Sequence, residues 1–274
     1  MITYRDFVGA LRDLELGRKS HILVHGSLSA FGSVRGGAEA VAGAVQATSE
    51  RIVAPTFTYQ TMVTPQVGPT GNAMRYGTAD EESSHAEFFA PDLPAHPSMG
   101  AIAEAIRLHP AAHRSAHPIL SFAGINAGEA LGSQSIEEPL GPIRWLADQD
   151  GDVLLLGVDH RCNTSLHLAE RLAGRKQFVR WALTPEGVIE CPSVPGCSEG
   201  FQAIAPRLEG VSRMIRLGQG TIELVPMRDL IHAATSWIRE NPLALLCNRV
   251  ACQRCEAVRA SLRMMPSDGG SVRD

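Results

Sequence analysis

A short apolar strand that enters a glycine- and serine-rich loop, then a helix, then a second apolar strand leaves a chain few folds to choose from. His21-Ile-Leu-Val-His25 is such a strand; residues 26–37 are the loop, 38–48 an Ala/Val-rich helix and 51–58 the second strand. A β-loop-α-β unit of this kind predicts a parallel pair with a right-handed crossover. A second unit of the same type follows, with an apolar strand at 152–158, a polar loop, and a helix at 164–173. After Gln177 the segments become shorter and alternate, at 178–183, 188–190 and 221–226, which predicts antiparallel strands at one side of the sheet. The fold class expected is α/β, a single domain with a central mixed sheet flanked by helices.

Other elements are read from periodicity: an amphipathic helix at 4–18 with Phe7, Leu11 and Leu14 on one side, a helix at 99–108, a short strand at 121–127, helical turns at 140–147 and a helix at 227–239. Residues 59–98 keep no regular period and carry the acidic run Asp80-Glu81-Glu82; excursions of such length are usually functional or mobile. One domain is expected over 1–265, with the cysteine-bearing segment 241–260 packed on it and 266–274 frayed.

The second strand-to-helix turn concentrates the chemistry. Asp159, His160, Asn163, Thr164, Ser165, His167 and Glu170 fall in its loop and first helical turns, at the end of a strand where α/β enzymes place their sites. His167 and Glu170 are three apart and therefore neighbours on a helix face. Asn163 or Thr164 is a suitable N-cap, which puts His167 near the positive end of the helix, where a neutral ring is favoured. A neutral imidazole can take a proton from a nucleophile while a carboxylate holds its other nitrogen. Three alternatives stand beside this: a surface His–Glu pair, His160 as the functional histidine with His167 in the core, and Cys162 as a nucleophile.

Gly26, Gly32, Gly36 and Gly37 in the first loop let backbone approach a ligand, and the helix N-terminus behind them suits an anion. Ser27, Ser29 and Ser33 add hydroxyls and Arg35 adds charge. A phosphate or pyrophosphate fits there, although neither a Walker loop nor the dinucleotide fingerprint is present; a plain connecting turn fits equally. Net charge of −4 gives no basic footprint for nucleic acid, and no apolar run is long enough to span a bilayer. With no signal pattern at Met1-Ile-Thr-Tyr-Arg-Asp, a cytoplasmic protein is expected.

Six cysteines are few for a disulfide scaffold. Cys247, Cys252 and Cys255 form C-x4-C-x2-C, and either Cys197 or Cys191 can complete four thiolates around a structural zinc. Unliganded buried thiols are the plainer reading.

Four segments, in this order, resemble the aminoglycoside 3-N-acetyltransferase family: His25-Gly-Ser-Leu-Ser-Ala-Phe-Gly-Ser-Val-Arg-Gly-Gly37; Ala54-Pro-Thr-Phe-Thr58; Pro97-Ser-Met-Gly-Ala-Ile-Ala-Glu104 with Arg114-Ser-Ala-His-Pro-Ile-Leu-Ser121; and Leu155-Leu-Gly-Val-Asp-His-Arg-Cys-Asn-Thr-Ser-Leu-His-Leu-Ala-Glu170. The resemblance spans about residues 3–215, with an extension to the end of the chain. It implies a resistance-type transferase that moves acetyl from acetyl-CoA to a small amine, the 3-amino group of an aminoglycoside, as a monomer or homodimer. By position, Ser27, Leu28, Ser29, Gly32, Val34, Arg35 and Gly36 would follow the coenzyme, and Arg114, Ser115, His117 and Ser121 match a second coenzyme-side segment. His167 takes the base position with Glu170 as partner, Thr164 and Ser165 assisting. Asp80, Glu81 and Glu82, with Glu87, would receive a polycation. The chain departs from the family at Glu138-Pro-Leu-Gly-Pro-Ile-Arg144, where a Ser-Pro pair is usual, and a family histidine is missing around 129–133; both bear on the acceptor. A biosynthetic amine as acceptor, a non-catalytic zinc-stapled coenzyme-binding protein and a thioester or amide hydrolase are the competing functions.

Overall fold

Two apolar strands, β1 (His21–Gly26) and β6 (Asp152–Leu156), run parallel at the centre of the computed structural model, which describes residues 1–77, 83 and 85–264. β2 (Arg51–Pro55) adds a third parallel strand on the other side of β1. Strands β4 (Ala112–Arg114), β5 (Phe122–Ile125), β9 (Arg213–Leu217) and β10 (Gly220–Pro226) extend this core antiparallel at both edges. The order is β4-β5-β2-β1-β6-β10-β9, a mixed seven-stranded sheet.

Both faces of this sheet are covered, which explains why its central strands read as continuous apolar runs. Leu23, Val53, Val153 and Leu155 point to one face, where α4 (Gly128–Gly132), α5 (Gly141–Asp148), α6 (Ser165–Leu172) and α7 (Met227–Glu240) bury Leu131, Ile143, Leu146, Leu166 and Leu230. Ile22, Val24, Ile52, Leu154 and Leu156 point to the other. There α1 (Tyr4–Asp13), α2 (Gly37–Thr48) and α3 (Gly100–Arg107) bury Phe7, Leu11, Val41, Val45, Ile102 and Ile106. The two-residue period of a strand thus feeds both cores from one sheet.

β10 lies antiparallel beside β6, as the alternating pattern predicts. The segments at 178–183 and 188–190 do not join that sheet. They are β7 (Phe178–Thr184) and β8 (Gly187–Val194), which with β3 (Met62–Val63) form a separate antiparallel sheet of order β3-β7-β8. Alternation shows that a strand has one wet face but not which sheet it joins, so periodicity alone misplaces them. The first helix ends at Asp13 rather than 18, because Glu15 takes a left-handed φ of 62°. Beyond residue 241, Ala244 and Leu245 enter the core and α8 (Gln253–Met264) follows. The acidic run Asp80-Glu81-Glu82 and the residues expected to fray, 266–274, lie outside the described residues. Among the described residues no helix is long and apolar enough to cross a membrane.

Candidate active site

The carboxyl ends of β1 and β6 open into a cleft of about 1560 Å³. Pockets for one small ligand run to roughly 300–1,000 Å³, so this one has room for two substrates. The loop after β1 supplies Ser27, Leu28, Ser29 and Gly32; the start of α3 supplies Ser98 to Ala101; the loop after β6 supplies Gly157 to Asp159 and Arg161 to Thr164. The floor includes Phe57, Tyr59 and Leu120, and another wall is built from Val194 to Glu199 together with Cys252, Gln253 and Arg254.

Two glycines permit this convergence. Gly100 has φ +83°, and a Cβ there would stand 2.8 Å from the Gly26 carbonyl oxygen. Gly157 has φ +67°, and its Cβ would meet the Ala30 methyl at 2.5 Å. Only glycine takes both the positive φ and the contact without strain.

His167 sits at the third position of α6 and faces the cleft, its ring edge-on to Phe201 at 4.7 Å. Its Nδ1 lies 2.7 Å from Glu170 Oε2. Glu170 is almost completely enclosed, and its Oε1 accepts from Arg175 Nη1 at 2.7 Å. Arg175 in turn donates to the carbonyls of Pro242 and Ala244 at 2.8 and 2.6 Å. The chain of contacts holds the ring by Nδ1 and leaves Nε2 toward the cleft. A histidine backed by a carboxylate is the arrangement that positions a general base.

The helix carrying this pair is capped by Asn163, whose backbone is extended and whose Oδ1 accepts from the Ser165 amide at 3.1 Å. Thr164 is already helical and makes no side-chain cap. The Thr164 amide donates to His25 Nε2 at 3.4 Å. His25, on the cleft wall, is driven from its ordinary 6.5 down to about 3 by burial and, secondarily, by His160, so its ring is neutral and accepts. His160 itself is wholly buried beside Asn163, with Nε2 3.4 Å from Glu223, and does not line the cleft. Burial raises the Cys162 thiol, the reverse of what a thiolate nucleophile needs.

The coenzyme-side expectations divide. Ser27, Leu28, Ser29 and Gly32 are on the cleft surface, with Ser27 and Ser29 hydroxyls 3.1 Å apart. Val34, Arg35 and Gly36 are outside it; Val34 pairs with Ile2 and Gly36 is the left-handed N-cap of α2. Arg114, Ser115, His117 and Ser121 are also outside the lining and serve an internal latch. Arg114 donates to Ser121 Oγ at 3.1 Å and to the Thr56 and Leu93 carbonyls, and burial lowers it to about 10. Ser115 bridges the Phe122 backbone. His117 Nδ1 accepts from the Ile119 and Leu120 amides at 3.2 and 3.0 Å, and burial pulls it to about 4. Ser165 and Glu170 stand buried behind Thr164 and His167. Glu87 is exposed.

Cys197, Cys247, Cys252 and Cys255 place their sulfurs within 4.8 Å of one another. Of the two candidates for fourth member, Cys197 is thus the one at hand; Cys191 is buried in the core, raised to about 12 by that burial. Cys197 is pulled down to about 5, chiefly by its hydrogen bond with Cys255, while that same bond and burial push Cys255 up. Four crowded thiols cannot all ionise without a cation among them; with one, they match the donor set of a tetrahedral zinc site.

His25, the α3 start and, apart from Cys197, the 194–199 wall went unread as site residues. His25 does carry a signal, since it ends a buried strand where β1 meets the polar loop. The 194–199 wall comes from the second sheet, and only the tertiary fold brings it to β1. The departing segment has a local role: Glu138 pairs with Arg171 of α6.

The family model described as Aminoglycoside 3-N-acetyltransferase matches residues 23–239. Aminoglycoside N(3)-acetyltransferase VII of Streptomyces paromomycinus is 28% identical over 260 residues, covering 84% of this chain and 89% of the relative. Among solved structures, a mutant of aminoglycoside acetyltransferase AAC(3)-IVa in complex with a gentamicin superposes with TM-score 0.76 at 23% identity, covering 95% of this chain and 97% of that one. The AAC-IIIb binary complex with CoASH gives 0.69 at 22%, covering 87% and 96%.

Proposed function

Since the chain belongs to the aminoglycoside 3-N-acetyltransferase family, we propose that it transfers the acetyl group of acetyl-CoA to the 3-amino group of an aminoglycoside, with His167 as general base. The observation that carries this reading is the buried relay from Arg175 through Glu170 to His167, which ends with Nε2 in a cleft shared with the serine loop. The coenzyme would lie along Ser27, Leu28, Ser29 and Gly32, beside the start of α3, in keeping with the CoASH carried by one structural neighbour.

The acceptor amine is an ammonium ion in neutral water and has no lone pair to attack with. His167 first takes a proton from the ammonium, which frees the lone pair that bonds to the thioester carbonyl carbon, and Glu170 steadies the imidazolium that results. Collapse of the tetrahedral adduct breaks the C–S bond, and coenzyme A leaves with the electron pair. The second proton on the attacking nitrogen passes to sulfur to give the thiol, and His167 returns its proton to water. No acyl-enzyme is involved. The Thr164 and Ser165 amides are engaged by His25 and Asn163, so the Thr164 hydroxyl, on the cleft surface, is the group we assign to the developing oxyanion.

The four clustered cysteines hold a structural zinc in this reading, with no open position for substrate. Reduced thiols and acetyl-CoA both fit a cytoplasmic location. A second reading keeps the chemistry and changes the acceptor to a biosynthetic amine. It is favoured by the scarcity of acid among the described residues of the cleft wall, where Asp159 is clasped by Arg161 at 2.7 Å and Glu199 is the other carboxylate.

Thiol release from acetyl-CoA, measured with gentamicin, sisomicin and apramycin and with no amine, separates these readings. Release that requires an aminoglycoside and yields the 3-N-acetyl product supports the first. Release without any amine indicates hydrolysis, and silence with all three aminoglycosides removes the antibiotic as acceptor.

A further inference from the structure

The cysteine cluster is set into the wall of the cleft. Cys197 and Cys252 are half-buried and line the cavity that His167 faces, while Cys247 and Cys255 are buried behind them. Cys197 lies in the loop that leaves β8; the other three lie at or just before α8. The cluster therefore joins two stretches far apart in sequence, and both put residues on the same surface: Gly196, Ser198 and Glu199 from one, Gln253 and Arg254 from the other. A hydrogen bond from Arg254 to the Gly196 carbonyl, at 3.3 Å, also links them. This wall shares no residue with the serine loop and α3 start assigned to the coenzyme.

Charge sharpens the point. Zinc held by four thiolates is a net dianion, and the ion in such a site is often the largest local charge. The groups around it are Glu199, Arg254 and Arg259, the last donating to the Cys247 carbonyl at 2.5 Å. In the cleft that His167 also lines, negative charge on this wall favours an ammonium arriving for deprotonation.

We propose that the four-cysteine zinc site is a working part of the acceptor subsite: it fixes the surface formed by Gly196–Glu199 and the start of α8, and its charge attracts the amine. This rests on the zinc and acetyl-transfer readings above. Metal loading then governs acceptor binding and leaves coenzyme binding alone.

The test compares the full-length protein loaded with zinc, stripped by a chelator, and carrying Cys252→Ser or Cys252→His. Zinc is measured by elemental analysis, coenzyme A affinity by calorimetry, gentamicin kinetics by thiol release, and local order by hydrogen exchange. The loaded protein is expected to hold one zinc. Stripping should speed exchange at 196–199 and 253–254 and raise the gentamicin KM by about tenfold or more, against a smaller change in kcat. Coenzyme A affinity should stay within about twofold. Added zinc, and the ligating Cys252→His variant, should restore both effects. Unchanged exchange and KM after stripping would overturn the proposal, as would parallel loss of coenzyme binding, which makes the metal a general staple. Absence of zinc from the purified protein overturns the zinc reading and this inference with it. If gentamicin is not turned over by the loaded protein, the antibiotic reading fails, and exchange at the wall alone decides this one.

Discussion

At the scale of the residue, the site depends on charges that are buried and matched. Glu170 and Arg175 are both enclosed, so removing one leaves a buried charge without its counter-ion, a loss of about 3–5 kcal/mol. Arg175→Met is therefore expected to lower the unfolding free energy by about that amount and to reduce kcat, because Glu170 loses the cation that aims it. Chemical denaturation and steady-state kinetics check the pair of effects. Two buried histidines, His117 and His25, weigh on acid stability. In the native chain His117 titrates at about 4 against an ordinary 6.5, so between these values the unfolded chain binds the extra proton and acid favours unfolding. His25, at about 3, acts in the same direction, whereas Asp152, raised to about 6 by burial, opposes it between 6 and 3.8. His117→Asn keeps an acceptor for the Ile119 and Leu120 amides and removes the titration. Relative to the parent, that variant should gain stability as pH falls from 6.5 to 4, by on the order of 3 kcal/mol at the acid end. A constant difference across that range in pH-dependent melting would contradict the assignment.

At the scale of the element, the cleft exists because α3 meets β1 backbone to backbone. Gly100→Ala would put a methyl 2.8 Å from the Gly26 oxygen at a φ of +83°. The expected cost is of order 1–3 kcal/mol, accompanied by weaker coenzyme A binding, since the start of α3 shares the cleft surface with the serine loop; denaturation and calorimetry read the two. Elements with one clear period were legible before the structure. The strands around Leu23 and Leu154 announced themselves as apolar runs, and α6 as a capped helix with His167 and Glu170 on one face. β4 was not, because Ala112–Arg114 is three residues of mixed polarity. β7 and β8 were legible as strands, yet their sheet was not, since pairing partners are decided by contacts far along the chain. Arg114 and His117 show the same limit at a site. Their residue types suit an anion, but Arg114 is taken up by Ser121 and the Thr56 and Leu93 carbonyls, and buried His117 by the Ile119 and Leu120 amides.

At the scale of the whole molecule, the large sheet and the helix that follows β6 carry the serine loop and the proposed base pair, while the small sheet and the C-terminal segment supply the opposite wall, the one proposed for the amine. That segment is doubly tied to the chemistry: it bears three of the four clustered cysteines, and its Pro242 and Ala244 carbonyls anchor Arg175. The central claim is that His167, held by Glu170, takes the amine proton for direct attack on acetyl-CoA. Its most direct measurement is acceptor-dependent thiol release by the parent and by His167→Ala, with coenzyme A affinity followed by calorimetry. The account predicts a kcat lower by about 10²–10⁴-fold in the variant with coenzyme A affinity intact. Equal turnover by the two proteins would contradict it.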